Sequence, residues 1–289
     1  MDRFLIITNE YKDPGSVLSK KVESKIREAG RQVERCHFDD AWTLRRDDGS
    51  AMRIDPDCEC ALIVGGDGTM LHAEHELFGY DIPMVGINMG TVGYLADINA
   101  ADWEAAIEDL MNGAPELDER MMLSGCLIRD DKVVFRDVAI NDIVLGRNSM
   151  HGIGIDVRVN GQHLKSYYAD GMIVSTPTGS TAYNLSAGGP IALPSSSLML
   201  ITPISPNVLI NRSLVCSDDT VVELALTNRR NAPQASDAAI YFDGREYKVE
   251  TNDRIEIVSA PRKAKLFKMS RINFLENLSR KMAEGEARI

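Results

Sequence analysis

Apolar positions in the first 120 residues alternate between two kinds of run. "FLIITN" (4–9), "QVERCHF" (32–38), "ALIV" (61–64) and "IPMVGIN" (82–88) are short, bounded stretches that predict strands, the near-continuous ones of the buried type. Between them, Leu18, Val22 and Ile26 recur at helical spacing within 16–29, and Gly30 is placed as a C′ residue. A second helix is predicted from Thr69 to about Phe78. A third covers "DWEAAIEDLMNG" (102–113), where Trp103, Ile107 and Leu110 share one face and Gly113 stops the run. This order predicts a doubly wound, parallel-sheet α/β domain, in which ligands bind beyond the carboxyl ends of strands.

From residue 120 to 265 the pattern changes to alternation with period two. Asn160-Gly161 sits between alternating runs, and Asp-Asp and Asp-Gly turns repeat the scheme in "SLVCSDDTVVELAL" and "AIYFDGREYKVETNDRIEIV". These are hairpin signals, and they predict an antiparallel β-sandwich-like domain. After "SAPRK" the tail becomes helical, with Phe274, Leu278 and Met282 on one face. That stripe needs an apolar partner, which is expected in the first domain. The predicted domains are therefore 1–119 with 266–289, and 120–265. A chain of 289 residues suits two cores.

Composition narrows the classes. The chain carries 32 Lys and Arg against 43 Asp and Glu, a net charge of −11. This argues against non-specific nucleic-acid binding and against docking on an anionic membrane. No apolar run approaches the roughly 18 residues of a membrane span. "MDRFLIITNE" lacks the features of a signal peptide. The five cysteines are odd in number and scattered, which fits reduced thiols and a cytoplasmic location.

Candidate chemistry begins with Gly65-Gly66-Asp67-Gly68-Thr69, an acid set among glycines after a predicted strand. The plain reading of Asp67 is an Asx turn or a helix N-cap. The alternative is a carboxylate at the mouth of a phosphate site. The stretch is neither a Walker A nor a G-x-G-x-x-G. Successive glycines before a helix can still aim several N–H groups at one point as a nest, with Thr69 adding a hydroxyl. A second glycine-bearing loop, "INMGTVGYLAD" (87–97), should lie beside it. The stretch "YYADGMIVSTPTGSTAYNLSAGGPI" (167–191) gathers Thr176, Thr178, Ser180 and Thr181 near Tyr183 and Asn184. It reads either as an ornate loop or as the polar wall of a flat ligand site. Asn141-Asp142 is, by itself, a common turn. His72 and His75 stand at i,i+3 without a third ligand nearby, so zinc is not expected. No Ser-His-Asp or Cys-His arrangement is legible.

Taken together, Gly65–Thr69, "GINMGTVGYLAD", Asn141-Asp142 and "DGMIVSTPTGSTAYNLSAGGPI" resemble the NAD kinase family, in collinear order over most of the chain. The resemblance implies that Asp67 is catalytic and touches the NAD ribose, with Gly68 lining the same site. It places Gly65, Gly66, Gly68 and Thr69 on the phosphate donor. It places His72 near phosphate, a better role for it than zinc. Asn141, Asp142 and Asp170 would contact NAD, and Thr181, Ala182, Tyr183, Asn184 and Ser186 would line its pocket. His151 is a looser match to a basic contact. Arg245 stands where many relatives carry Gln.

The implied reaction transfers the terminal phosphoryl group of ATP or polyphosphate to the ribose 2′-hydroxyl of NAD, giving NADP. Mg²⁺ or another divalent cation would be held by phosphate rather than by a protein cage. Alternatives are a lipid kinase of the GGDGT superfamily or a non-catalytic NAD(P)-binding regulator. The family also implies a homodimer or homotetramer. The run "LPSSSLMLITPISPNVLI" (193–210), with Leu198 to Ile201, is expected to supply a packed interface.

Overall fold

The computed structural model describes residues 1–90, 93–113, 115–207, 211–227, 237–269 and 273–286. The chain divides into two compact units, Met1–Glu119 with Ala264–Ile289, and Arg120–Lys263.

The first unit is α/β, as its alternating pattern predicts. Its strands are β1 (Arg3–Thr8), β2 (Gln32–Phe38), β3 (Leu44–Arg45), β4 (Cys60–Gly65), β5 (Met84–Asn88), β6 (Ile98–Asn99) and β7 (Glu116–Arg120). Its helices are α1 (Val17–Glu28), α2 (Asp67–Leu77) and α3 (Trp103–Asn112). Strands β2, β1, β4 and β5 pair in parallel in that order, which makes their buried, branched runs the centre of the sheet. Helices α1 and α3 bury Val22, Ile26, Ile107 and Leu110 against Ile6, Leu62 and Ile87. Helix α1 ends as its residues dictate. Gly30 is left-handed (φ 76°), its N–H reaches Arg27 O at 2.9 Å, and Arg31 N–H reaches Ile26 O at 3.2 Å. This is a Schellman cap.

The second unit is two antiparallel six-stranded sheets together with the short helix α4 (Tyr183–Ser186). One has the order β15-β14-β13-β10-β17-β18, from β10 (Asp142–Arg147), β13 (Gly171–Ser175), β14 (Leu198–Ile204), β15 (Leu214–Ser217), β17 (Ala238–Phe242) and β18 (Arg245–Val249). The other has the order β12-β11-β16-β19-β8-β9, from β8 (Leu123–Arg129), β9 (Lys132–Ala139), β11 (Ile153–Val159), β12 (Gln162–Ala169), β16 (Val222–Thr227) and β19 (Arg254–Ser259). Alternate residues of both sheets meet in one core, including Ile143, Leu145, Met172, Val174, Ile155, Leu224 and Ile257. The expected sandwich-like class is borne out.

Two expectations need correction. Met199, Leu200 and Ile201 are 0, 1 and 3% exposed, because the run is the inner strand β14. Met199 to Ile201 therefore fill the core of their own unit and are not available to an interface, whereas Leu193 of the same run is 49% exposed. The last three residues of the run 193–210 lie outside the described residues. The tail also rejoins the first unit by an extra element, strand β20 (Ala264–Lys268), which enters the sheet beside β5 in parallel. It precedes helix α5 (Phe274–Glu286). On α5 the inward face is Phe274, Asn277, Leu278 and Lys281, and Met282 is exposed.

Candidate active site

In the first unit the site is built at the carboxyl ends of β4 and β5. Strand β4 ends at Gly65, Gly66 is the N-cap of α2, and Asp67 is its first helical residue. Asp67 is thus neither an N-cap nor an Asx-turn residue. Its carboxylate reaches across to the following loop. Oδ2 accepts the Tyr94 N–H at 2.7 Å, and Oδ1 accepts the N–H groups of Leu95 and Ala96 at 3.1 and 3.0 Å. The two glycine loops therefore do lie side by side, and Met89 N–H on Gly65 O at 2.9 Å ties them again. Thr91 and Val92 of the second loop lie outside the described residues.

The glycines divide into two groups. A Cβ on Gly65 would come within 2.4 Å of Thr69 Oγ1, and one on Gly93 within 1.8 Å of Asp67 Oδ1, so both are glycine to let a neighbour in. A Cβ on Gly66 or Gly68 would meet nothing within 4 Å. Neither needs a left-handed backbone; Gly66 is extended, at φ −131° and ψ −171°. The expected nest is corrected accordingly, since it would need alternating right- and left-handed residues. What the missing side chains leave is open backbone at the N-terminus of α2, where approach by an anion is favoured. Thr69 is buried, and its hydroxyl accepts from Gly66 N–H at 3.5 Å and Asn9 Nδ2 at 3.4 Å.

His72 lies one turn further along α2, half-buried. Its ring stacks on Trp42, with centroids 3.5 Å apart and planes 12° apart, and meets the edge of Phe38. Trp42 is left-handed (φ 57°). The turn is held by Asp39, whose Oδ1 accepts from Ala41 and Thr43 N–H at 2.9 and 2.8 Å. Nothing local to Trp42 in the sequence signals this partner.

In the second unit Asn141 and Asp142 open β10. Asp142 is 7% exposed. Burial, and after it the charge of Asp243, pushes its carboxyl up to about 7. The 176–186 segment sits beside this end of the strand, since Asp142 pairs with Ser175. Its hydroxyls, however, mostly face inward. Thr176 Oγ1 accepts Gly179 N–H at 3.0 Å and donates to Ile140 O; Ser180 Oγ accepts Ala192 N–H at 3.0 Å. They knit the loop rather than wall a ligand. Asn184 is fully buried. Its Nδ2 donates to Ser180 O and Pro190 O at 3.2 and 3.0 Å, and its Oδ1 accepts from Thr202 at 2.7 Å. Its amide is a strut, so the expectation that it lines a pocket is corrected. Thr181 and Ala182 are half-buried, and Tyr183 and Ser186 are exposed on the same turn.

Asp170 lies at the other end of these strands, next to Gly171, which pairs with Gly146. Five residues of strand separate it from Asp142, about 17 Å. There Arg147 forks onto it, Nε to Oδ1 at 2.6 Å and Nη2 to Oδ2 at 3.3 Å. His151 is exposed on the following turn. Asp170 and Asn141-Asp142 are therefore not gathered at one point. Arg245 starts β18 opposite Phe242.

Comparison with known proteins follows the same division. The family model for the ATP-NAD kinase N-terminal domain matches residues 15–114, and that for the ATP-NAD kinase C-terminal domain matches 140–269. An NAD kinase of Lachnospira eligens is 40% identical over 98% of this chain and 100% of its own length. The chain belongs to the NAD kinase family. A second relative, an NAD kinase of Ruminiclostridium cellulolyticum, is 34% identical over 98% of this chain and 99% of its own. Among solved structures, yeast NADH kinase complexed with NADH superposes with a TM-score of 0.85 at 22% identity, covering 98% of this chain and 88% of that one. An NAD kinase from Archaeoglobus fulgidus in complex with ATP superposes with a TM-score of 0.72 at 23% identity, covering 92% and 93%. These two establish the NAD kinase fold.

Among the described residues, no three His, Cys, Asp or Glu side chains gather as a cation site.

Proposed function

We infer that this member of the NAD kinase family transfers the terminal phosphoryl group of ATP, or of polyphosphate, to the adenosine-ribose 2′-hydroxyl of NAD, giving NADP. The observation that carries this reading is Asp67, a carboxylate locked by three backbone N–H groups beside bare glycines that open outward. A carboxylate has about four acceptor positions. Among the described residues three are used, with one N–H on Oδ2, which leaves that oxygen capacity for a substrate hydroxyl.

Phosphoryl transfer passes through a loose transition state in which placement outweighs basicity. Asp67 then acts by orienting the 2′-hydroxyl and accepting its proton as the new P–O bond forms and the bridging P–O bond to the departing ADP or shortened polyphosphate breaks. Gly66 and Gly68, with the N-terminus of α2, receive donor phosphate, and His72, its ring fixed on Trp42, adds a polar contact there. Bound Mg²⁺ would supply neutralisation of the phosphate charge. In the second unit Asn141, Asp142 and the exposed face of Thr181–Ser186 are assigned to the dinucleotide, with Asp170 as a more distant contact for an elongated ligand. A cytoplasmic location and a homo-oligomer belong to the same reading, though β14 no longer supports the latter.

Incubation of the pure protein with NAD, Mg²⁺ and each donor in turn, followed by enzymatic measurement of NADP, tests it. NADP is expected with at least one donor. None with any donor overturns the reading.

A further inference from the structure

The start of β10 is held by a residue that the sequence presents only as a turn former. Strand pairing sets Ile143 opposite Phe242, so the β17–β18 turn falls beside residues 140–142. That turn is Asp243-Gly244, left-handed at both positions (φ 47° and 90°), the two-residue hairpin form. It aims the Asp243 carboxylate along the backbone of the neighbouring segment. Oδ2 accepts the Ile140 N–H at 2.7 Å, and Oδ1 accepts those of Asn141 and Asp142 at 2.9 and 3.0 Å. In return the Asp243 N–H donates to Asp142 O at 3.1 Å.

The other side of the segment is equally fixed. Asn141 O accepts Thr176 N–H at 2.9 Å and Ser175 Oγ at 3.2 Å, and a Cβ on Gly179 would lie 2.1 Å from that oxygen. Three converging N–H groups are what a backbone offers to an anion, and here the anion is built in. A charged acceptor is stronger than a neutral one, and it holds direction as well as distance.

We propose that Asp243 is a positioning residue for NAD binding: it sets the backbone of Asn141 and Asp142, and so the aim of their side chains, before the dinucleotide arrives. This rests on the assignment of Asn141-Asp142 to NAD. Asp243 itself need not touch the ligand. Its loss should therefore appear in NAD affinity, with phosphoryl transfer and donor use spared.

In Asp243→Asn, one acceptor oxygen becomes an NH₂ facing an N–H. The KM for NAD should rise about tenfold, the scale of one charge-assisted hydrogen bond. kcat should stay within about threefold, and the KM for ATP should not move. A variant that is folded by circular dichroism and keeps the parental KM for NAD overturns the proposal. So does a fall in kcat with that KM unchanged. Hydrogen exchange on the intact wild-type chain gives an independent answer should the variant not fold. The amides of 140–142 should be strongly protected without NAD and gain little on adding it. Free exchange before NAD is added would show that the ligand, not Asp243, orders the segment. If the wild type forms no NADP, the functional reading fails; normal wild-type turnover with an unaffected variant removes only the role of Asp243.

Discussion

Asp67 and Asp142 are both carboxylates at the ends of strands, yet their surroundings ask different things of them. Asp67 is half-buried and satisfied by three N–H donors. Asp67→Asn preserves size but turns one oxygen into a donor facing donors, and it cannot accept a proton. kcat should fall roughly 100-fold or more, with the KM for NAD within a few-fold, in steady-state assays. Turnover within a few-fold of the parent would remove Asp67 from the chemistry. Asp142 has its carboxyl raised to about 7 by burial and by Asp243. In the unfolded chain it titrates near 3.9. Between those values the unfolded state has released a proton that the folded state keeps, so this group's contribution to stability declines as pH rises from about 4 to about 7. Asn at 142 does not titrate. The stability of Asp142→Asn relative to the parent should therefore climb across that window, by no more than about 4 kcal/mol in total, and its relative melting temperature should climb with it and level off above the window. Melts at pH 5 and pH 8 check the sign; a gap that is flat or that closes with rising pH contradicts it.

At the scale of elements, the glycine loops make a sharper test than the acids. Gly66→Ala adds a methyl group to open space, so the protein should melt as the parent does while the KM for the phosphate donor rises several-fold. Gly93→Ala drives a methyl into the Asp67 carboxylate and should lower both the melting temperature and kcat. If the Gly66 variant used the donor normally, the open backbone would not be where phosphate approaches. The same loops show what the sequence could convey. Strand β2 over Gln32–Phe38, the end of α1 at Gly30 and the face of α3 were legible because periodicity and caps are local. Asp67 was legible as an oddity among glycines, but not its partners at Tyr94–Ala96, which are contributed by another loop. The hydroxyls of 176–180 misled, because a Ser or Thr pattern does not tell whether an oxygen faces a ligand or a neighbouring carbonyl. Asp243, Arg147 and Trp42 gave no signal as site residues; each is defined by a partner at least 23 residues away in sequence. The two-residue strands β3 and β6 carry too few residues for a period to show.

At the scale of the molecule, the first unit is discontinuous, and its last segment reaches back to the loop that holds Asp67. Helix α5 buries Asn277, whose Nδ2 donates to Gly93 O at 2.9 Å. The Phe274 ring lies 5.8 Å from Tyr94, and Lys281 Nζ sits 4.3 Å over the same ring. Gly93 leaves the room that the Asp67 carboxylate occupies, and Tyr94 donates to that carboxylate. The order of contact therefore runs from α5 to the loop and from the loop to the carboxylate. Sheet strand β20 would survive removal of α5, since it pairs with β5 independently of the helix. A chain ending at residue 272 should then stay folded with a modestly lower melting temperature, yet lose about tenfold in kcat as the loop loosens its hold on Asp67. Asn277→Ala, which leaves the rest of the helix in place, should show the same direction with a smaller fall in kcat, because one hydrogen bond worth about 1 kcal/mol is lost rather than the whole helix. Steady-state kinetics together with thermal melts separate the outcomes. Parental kcat in the truncated, folded chain would mean that the loop holds Asp67 without help from the C-terminal helix.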